Sequence, residues 1–198
     1  MSTHTNYAMR RNQNVGAGEK IKEKATALYE KMTGQDKVTT LEDLFVEQLQ
    51  DLYSAETQLI EALPKMAEAA NNIELRRGFQ VHWEETKGHA RRLEQILSRM
   101  GKSAKGKTCK AMEGLIKEGG EAISENATPE VKDAALIAAA QRVEHYEIAG
   151  YGTVRTYAGL LGDGVAQKML QQTLDEEGAT DKKLTAASEK LNVMIPIS

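Results

Sequence analysis

Residues 128–160, TPEVKDAALIAAAQRVEHYEIAGYGTVRTYAGL, contain the pattern that decides the fold. Thr128 followed by Pro129 is a typical helix start, because threonine caps free backbone N–H groups and proline needs no hydrogen bond in the first turn. Apolar residues then recur at intervals of three and four as far as Leu160, as they do on one face of a helix. The stretch therefore predicts one long helix.

The same spacing predicts three further long helices, over about residues 40–70, 74–100 and 164–191. Pro64 is expected to kink the first of these or to end its first part. The links between the four helices are short, long and short, and the long link over 101–129 can cross the length of the bundle. These features predict an all-α fold, namely a ferritin-like antiparallel four-helix bundle with a long crossover, instead of a simple up-and-down bundle.

Residues 1–38 are predicted to form a separate N-terminal extension, and the bundle is expected to occupy residues 39–198. The extension carries seven basic and four acidic residues, whereas the whole chain has 26 basic and 29 acidic residues. Residues 1–16 are polar and are predicted to be disordered. Residues 17–32 carry a narrow apolar stripe at helical spacing, which predicts a short docking helix.

The composition of the 198-residue chain excludes several classes of protein. A net charge of only −3 argues against a general nucleic-acid binder. The single cysteine, Cys109, excludes an internal disulfide framework and a cysteine-based zinc site. The sequence shows neither a signal-peptide pattern nor an apolar run of transmembrane length, so we expect a cytoplasmic protein without membrane segments.

Acidic side chains interrupt the apolar face of every long helix. Glu56 falls between Leu52 and Leu59 at helical spacing, and Glu144 and Glu147 are three residues apart on the helix that Thr128 starts. The other two helices each carry a pair of candidates four residues apart, which still share a face. The candidate metal ligands are Glu56, Glu85, His89, Glu144, Glu147, Glu177 and Asp181.

Six carboxylates facing one core cannot all stay ionised and unpaired, because each buried charge is costly to desolvate. Either most of them are protonated or cations neutralise them. No lysine or arginine falls on these faces at matching spacing, whereas two divalent metal ions would supply four positive charges and accept oxygen ligands. The pattern favours a dinuclear metal site, although any one glutamate taken alone is equally explained as a boundary residue whose carboxylate reaches water.

Four further side chains are predicted to lie beside the candidate ligands, and they are Tyr53, His82, His145 and Tyr151. Each tyrosine is one turn from a candidate ligand, where it either hydrogen-bonds a carboxylate or packs in the core with its hydroxyl bonded elsewhere. His82 is either a ligand or a core histidine with other partners. His145 points about 100° away from its neighbour Glu144, so we expect it beside the ligands or at an interface.

Four stretches of the chain are distinctive, and they are residues 41–56 (LEDLFVEQLQDLYSAE), 82–88 (HWEETKG), 133–151 (DAALIAAAQRVEHYEIAGY) and 173–184 (TLDEEGATDKKL). Together they resemble the YciE/YciF-like family of bacterial ferritin-like stress proteins. The resemblance covers about residues 38–190 and implies a ferritin-like fold, a homodimer and a dinuclear metal site similar to that of rubrerythrin.

The resemblance also implies roles for individual residues. By similarity to rubrerythrin-type motifs, the glutamate ligands would be Glu56, Glu85, Glu144, Glu147 and Glu177. His89 would be an added ligand or a neighbour of the site, and Asp181 stands where rubrerythrins have a histidine. Fewer imidazoles make a harder, more oxygen-rich site, which leaves the identity of the metal open.

Three functions are compatible with these features. The leading one is a non-haem dinuclear protein that binds two iron ions and reduces O2 or peroxide, as a ferroxidase or a rubrerythrin-like peroxidase. The second is a manganese catalase-like activity, with manganese or mixed iron and manganese in the same site. The third is a non-enzymatic dimeric stress protein whose basic extension attaches to nucleic acid or to a partner, although seven basic residues diluted by four acids are a weak signal for nucleic acid.

Overall fold

The computed structural model describes residues 24–25, 38–192 and 195. The chain divides into two compact units, Met1–Thr40 and Leu41–Ser198. In the first unit, Lys24 and Ala25 are helical and exposed, and the rest of the predicted docking helix over 17–32 lies outside the described residues. Between residues 38 and 192 the regular structure is entirely helical. The helices are α1 (Leu41–Ala69), α2 (Ile73–Arg99), α3 (Lys110–Ser124), α4 (Pro129–Leu160) and α5 (Gly164–Asn192).

The four long helices form two antiparallel hairpins that pack against each other. Short links join α1 to α2 and α4 to α5, and α1 also contacts α4 while α2 contacts α5. The long connection between α2 and α4 runs along α1, because Gln50 donates a hydrogen bond to Ser103 O and Ser54 accepts one from Cys109 N. Helix α3 then contacts α1 and α4. The predicted ferritin-like bundle with its long crossover is therefore confirmed.

Helix α1 continues through Pro64 as far as Ala69, so the proline does not end it. Proline has no N–H to donate to the carbonyl one turn earlier, which here belongs to Ile60. The indole Nε1 of Trp83, on α2, donates to Ile60 O at 2.9 Å instead. The neighbouring helix thus satisfies the carbonyl that proline leaves free, and the helix tolerates the interruption.

The turn between α1 and α2 is tied to the start of α4 by a buried carboxylate. Asp133 accepts hydrogen bonds from Asn71 N at 2.8 Å and from Asn72 N at 2.7 Å. Asn72 itself caps α2, since its side chain accepts from the backbone N–H groups of Glu74 and Leu75. This network holds the two hairpins together at one end of the bundle.

We expect Asp133→Ala to lower the free energy of unfolding by about 2–3 kcal/mol, because two backbone N–H groups lose a charged acceptor that is buried. Urea denaturation followed by circular dichroism measures the change. Glu130→Ala is the matched control, since Glu130 lies exposed in the first turn of the same helix, and we expect it to change stability by less than about 0.5 kcal/mol. Equal effects of the two substitutions would contradict this role for Asp133.

Two apolar clusters fill the bundle, one towards each end. The cluster near the α1–α2 turn includes Leu59, Phe79, Leu136 and Leu184. The cluster near the α4–α5 turn includes Phe45, Leu93, Val154 and Leu170. Each long helix contributes to both clusters, and a layer of buried polar side chains lies between them. In the described part of the chain, no helix is long and apolar enough to cross a membrane.

Candidate metal centre

The buried polar layer combines carboxylates and imidazoles from all four long helices. One carboxylate comes from α1, two imidazoles from α2, two carboxylates from α4 and one carboxylate from α5. Each side chain replaces an apolar residue on the inner face of its helix, so burial follows from the same periodicity that buries the leucines around it. The six buried residues are Glu56, His82, His89, Glu144, Glu147 and Glu177.

These residues form two groups that share one carboxylate. His82, Glu144, Glu147 and Glu177 each offer a ligand atom within 4.8 Å of the others, and Glu56, His89 and Glu177 do the same. The two oxygens of Glu177 face different imidazoles. Oε1 lies 2.8 Å from His89 Nδ1, and Oε2 lies 3.9 Å from His82 Nε2. One carboxylate is thus placed between two sets of potential ligands.

Many buried polar atoms of the site make no hydrogen bond of good geometry, although some of them, such as Glu177 Oε1 and His89 Nδ1, lie in ion-pair contact. Among the described residues, eight of the nine such side-chain atoms belong to this layer, and the ninth is Arg155 Nε. Both oxygens of Glu147 and both of Glu177 are among them. Buried polar atoms are rarely left unpaired in native proteins, and four carboxylates with two imidazoles are a donor set that suits iron or manganese. The residues present therefore fit a pair of divalent metal ions, whose four positive charges would balance the four carboxylates.

Burial makes Glu56, Glu144 and Glu147 weaker acids than an ordinary glutamate. Burial raises the pKa of Glu56, raises that of Glu144 to about 7, and raises that of Glu147 well above its usual value. Neighbouring carboxylates add to the shift for Glu147, whereas His82 partly opposes it for Glu144. Each of these shifts favours the protonated carboxyl group, and a bound cation would oppose it.

The pKa values of the two imidazoles shift in the direction opposite to the one that burial alone would produce. Burial lowers the pKa of His89, but its contacts with Glu177 and Glu56 outweigh that effect and raise the pKa to about 10. Burial also opposes the charge of His82, whose pKa is nevertheless raised well above its usual value by Glu144. The metal-free layer is thus held together by protonated imidazoles, and metal ions would have to displace these protons.

The imidazole of His89 is oriented by a pair of charged residues outside the layer. Its Nε2 lies 2.9 Å from Glu176 Oε2. Arg92 donates to both oxygens of Glu176, at 2.7 and 2.9 Å. A carboxylate on the far nitrogen fixes the ring so that Nδ1 faces the other potential ligands. Sequence spacing turns Glu176 sideways from Glu177, and only the position of α2 shows that it meets His89.

Tyr151 and Tyr53, both predicted to lie beside the ligands, have different partners. Tyr151 is buried and donates a hydrogen bond to Glu56 Oε1. Tyr53 donates to Glu94 Oε1 at 2.5 Å, on the outside of the bundle. The hydroxyl of Tyr151 therefore belongs to the buried layer, whereas that of Tyr53 contacts none of its six residues.

Three other residues predicted at the site lie outside both groups. The Glu85 side chain is 30% exposed, with Oε2 at 3.6 Å from His82 Nδ1. His82 and His89 are seven residues apart, which is nearly two helical turns, so their side chains leave the helix on the same side. Glu85 lies about 60° around the helix axis from His82. Asp181 is 22% exposed and lies 3.3 Å from Nε2 of His145, which is 71% exposed.

The chain matches one protein family and one curated relative over most of its length. The DUF892 family, described as a domain of unknown function, matches residues 40–193. Protein YciF of Escherichia coli (strain K12) is 52% identical over 147 residues, which are 74% of this chain and 89% of YciF.

Solved structures agree with this relationship. The crystal structure of the E. coli stress protein YciF superposes with a TM-score of 0.77 and 48% identity, covering 80% of this chain and 100% of that one. YcfI of Rhodopseudomonas palustris gives 0.73 and 41%, covering 81% and 98%. A two-domain protein of Anabaena variabilis with DJ-1/ThiJ/PfpI-like and ferritin-like domains gives 0.56 at 18% identity, over 81% of this chain and 41% of that one, and supports the fold alone. The family resemblance seen in the sequence is confirmed, and the chain belongs to the DUF892 family, with the E. coli stress protein YciF as a relative similar over most of its length.

Proposed function

We propose that the chain binds two iron ions in the buried layer and reduces O2 or peroxide there. The observation that carries this proposal is the position of Glu177, which belongs to both ligand groups and turns one oxygen towards each imidazole. Glu56 and His89 would complete one metal site. His82, Glu144 and Glu147 would complete the other.

Bound iron would supply the one-electron chemistry towards O2 or peroxide that protein side chains lack. The carboxylates of this chain would neutralise the ions, and Glu147, with two unpartnered oxygens, is free to bind through one or both. The apolar clusters on either side shield most of the layer from bulk water. Nε2 of His89 lies against Glu176, whose carboxylate is partly exposed at the surface of the bundle.

Anaerobic titration of the full-length protein with Fe(II), followed by metal analysis, tests the proposal. We expect two ions per chain and oxidation of the bound Fe(II) when peroxide is added. Substoichiometric binding, together with no peroxide-dependent oxidation of the loaded protein, would refute a di-iron function.

The donor set also favours manganese as an alternative cofactor. Four carboxylates against two imidazoles form a hard, oxygen-rich site, which suits manganese as well as iron. A manganese catalase-like activity, or a mixed iron and manganese site, would use the same residues. Evolution of O2 from peroxide by the manganese-loaded chain, absent from the iron-loaded chain, would favour this alternative.

The homodimer and the cytoplasmic location that the sequence predicts remain proposals. The non-enzymatic alternative depends on the basic residues of 1–38, which lie almost wholly outside the described part of the chain. Gel retardation of DNA at low salt tests it, and no retardation would remove nucleic acid as a partner. Light scattering of the full-length chain measures the oligomeric state.

Removing the carboxylate that orients His89 is expected to weaken metal binding. Glu176→Ala leaves Nε2 of His89 without its acceptor, and losing such a supporting group typically lowers metal affinity by about 10–100-fold. Competition with a chelator of known affinity measures the change. Glu84→Ala is the control, because Glu84 is an exposed carboxylate on α2 paired only with Lys87 among the described residues. Unchanged affinity in Glu176→Ala would show that Glu176 does not position the ligand.

A further inference from the structure

A large cavity opens at the end of the bundle where α1 ends and α4 begins. Its volume is about 860 Å³, within the range of about 300–1,000 Å³ that small-molecule sites usually occupy. All five helices contribute to its walls, and the crossover helix α3 closes one side. The walls are mostly apolar and include Leu63, Met66, Phe79, Ile116, Val143 and Leu184.

The inner end of this cavity reaches the buried polar layer. His82 and Glu144, which belong to one of the two ligand groups, line it together with Thr180. Thr180 Oγ1 lies 3.4 Å from His82 Nδ1, so this wall is continuous with the layer. A molecule that fills the cavity would end beside the candidate metal centre.

The outer end of the cavity is basic. Lys65, Arg77, Lys183 and Lys190 line it, all of them exposed, and they form no ion pair with any residue that the structure describes. The acidic residues of the outer wall are Glu74 and Glu85. Four basic residues against two acidic ones leave an excess of positive charge at the rim of an apolar cavity, which complements a ligand with an anionic head and a hydrocarbon tail.

We propose that this cavity binds an aliphatic carboxylate of fatty-acid length, with the tail in the apolar interior and the carboxylate at the basic rim. Each methylene that leaves water for such an interior strengthens binding by about fourfold. The reverse orientation would take the carboxylate out of water and away from the basic rim, and burying a charge in this way is costly. The position of the tail beside a metal ion rests on the proposed function, whereas the binding of the carboxylate does not.

Isothermal titration of chelator-treated, full-length protein with laurate tests the proposal, with lauryl alcohol as the uncharged probe. We expect one laurate per chain, and weaker binding of the alcohol because it lacks the charge that the rim attracts. In a Lys183→Ala, Lys190→Ala double variant, the affinity for laurate should fall by about tenfold, as expected for two exposed charge contacts, while that for the alcohol stays unchanged. Equal effects on both probes would overturn the proposed role of the rim.

A pair of glycine substitutions on α3 separates binding in the cavity from binding elsewhere. Gly119 lines the cavity, and a Cβ added there would meet only Met66 Sδ, at an ordinary 3.8 Å. Gly119→Leu should therefore fold, with a gain in helix propensity, and should weaken laurate binding by occupying part of the cavity. Gly114→Leu is the control, since Gly114 is exposed on the same helix with nothing within 4 Å. Laurate binding by Gly119→Leu at the affinity of the parent chain would overturn the proposal.

Other occupants of the cavity give different results. If residues 193–198 or a second copy of the chain fill it, the full-length protein will not bind laurate, or laurate will dissociate an oligomer as it binds, and either result overturns the proposal. Metal titration of the same preparations keeps the two claims apart. A chain that binds two metal ions and no laurate overturns only the lipid site, whereas one that binds laurate and no metal overturns only the proposed function.

Discussion

Replacement of Glu177 by glutamine is expected to abolish binding of both metal ions. Glu177 is the residue common to the two ligand groups, so that one substitution removes a ligand from each. Because an amide is a far weaker metal ligand than a carboxylate, we expect both affinities to fall by more than about a hundredfold, beyond the usual loss for a supporting residue. Equilibrium dialysis followed by metal analysis measures the stoichiometry.

The control for this variant is Asp175→Asn, which makes the same chemical change on an exposed residue two positions earlier on α5. We expect that protein to retain two ions per chain. If Glu177→Gln kept one ion at the affinity of the parent chain, Glu177 would serve a single site and the shared-carboxylate arrangement would be excluded. Glutamine has nearly the same volume as glutamate, so the metal-free variant should fold at least as stably as the parent chain.

The metal-free protein should lose stability as the pH rises from about 5 to about 10. Between the usual pKa of 4.5 and the raised pKa of about 7, Glu144 keeps its proton in the folded chain and loses it in the unfolded chain. Between 6.5 and about 10, His89 likewise keeps a proton that the unfolded chain releases. In both intervals the folded state binds more protons, so that rising pH favours unfolding.

The size of this effect can be measured by urea denaturation of chelator-treated protein across the same pH range. Glu144 alone should account for a loss on the order of 3 kcal/mol between pH 4.5 and neutrality. The variant Glu144→Gln should lack that part of the loss. Metal-loaded protein should show the opposite trend, because metal ions bind deprotonated ligands. A metal-free stability that rises with pH would contradict the description of the buried layer.

Loss of metal binding in Glu177→Gln and loss of metal-free stability at high pH would have the same cause, namely the burial of carboxylates in the core. A layer with four buried carboxylates divides the apolar core, and it weakens the metal-free fold at the pH where its groups ionise. Metal ions that bind only the folded chain would reverse that cost by mass action. The chain would then be most stable in the state in which it carries its cofactor.

Much of the fold was predictable because it depends on local and periodic features. Apolar residues at intervals of three and four predicted each long helix, and the long link between the second and third of them predicted the crossover. The same periodicity predicted that Glu56, Glu144, Glu147 and Glu177 would face inwards. Pro64 shows the limit of local rules, because the carbonyl that it leaves free is bonded by Trp83 from another helix.

Which residues reach the buried layer depends on how far each helix is rotated about its own axis, and the spacing of residues in the sequence does not determine that rotation. Residues three or four positions apart differ by 40–60° around a helix, and helix packing decides which of them meet a neighbouring helix. The structure turns His82 into the layer and leaves Glu85 and Asp181 at its edge, although all three fit the sequence pattern.

The sequence by itself determined four long helices, their connection and the presence of carboxylates on their inner faces, because helix periodicity is a property of each segment alone. Tertiary structure decided which oxygens and nitrogens come within 4.8 Å of one another, how Arg92 and Glu176 hold His89, and that a cavity reaches His82. Those features join residues of different helices that are far apart in the chain. They exist only once the hairpins pack, since packing sets the rotation of each helix about its axis.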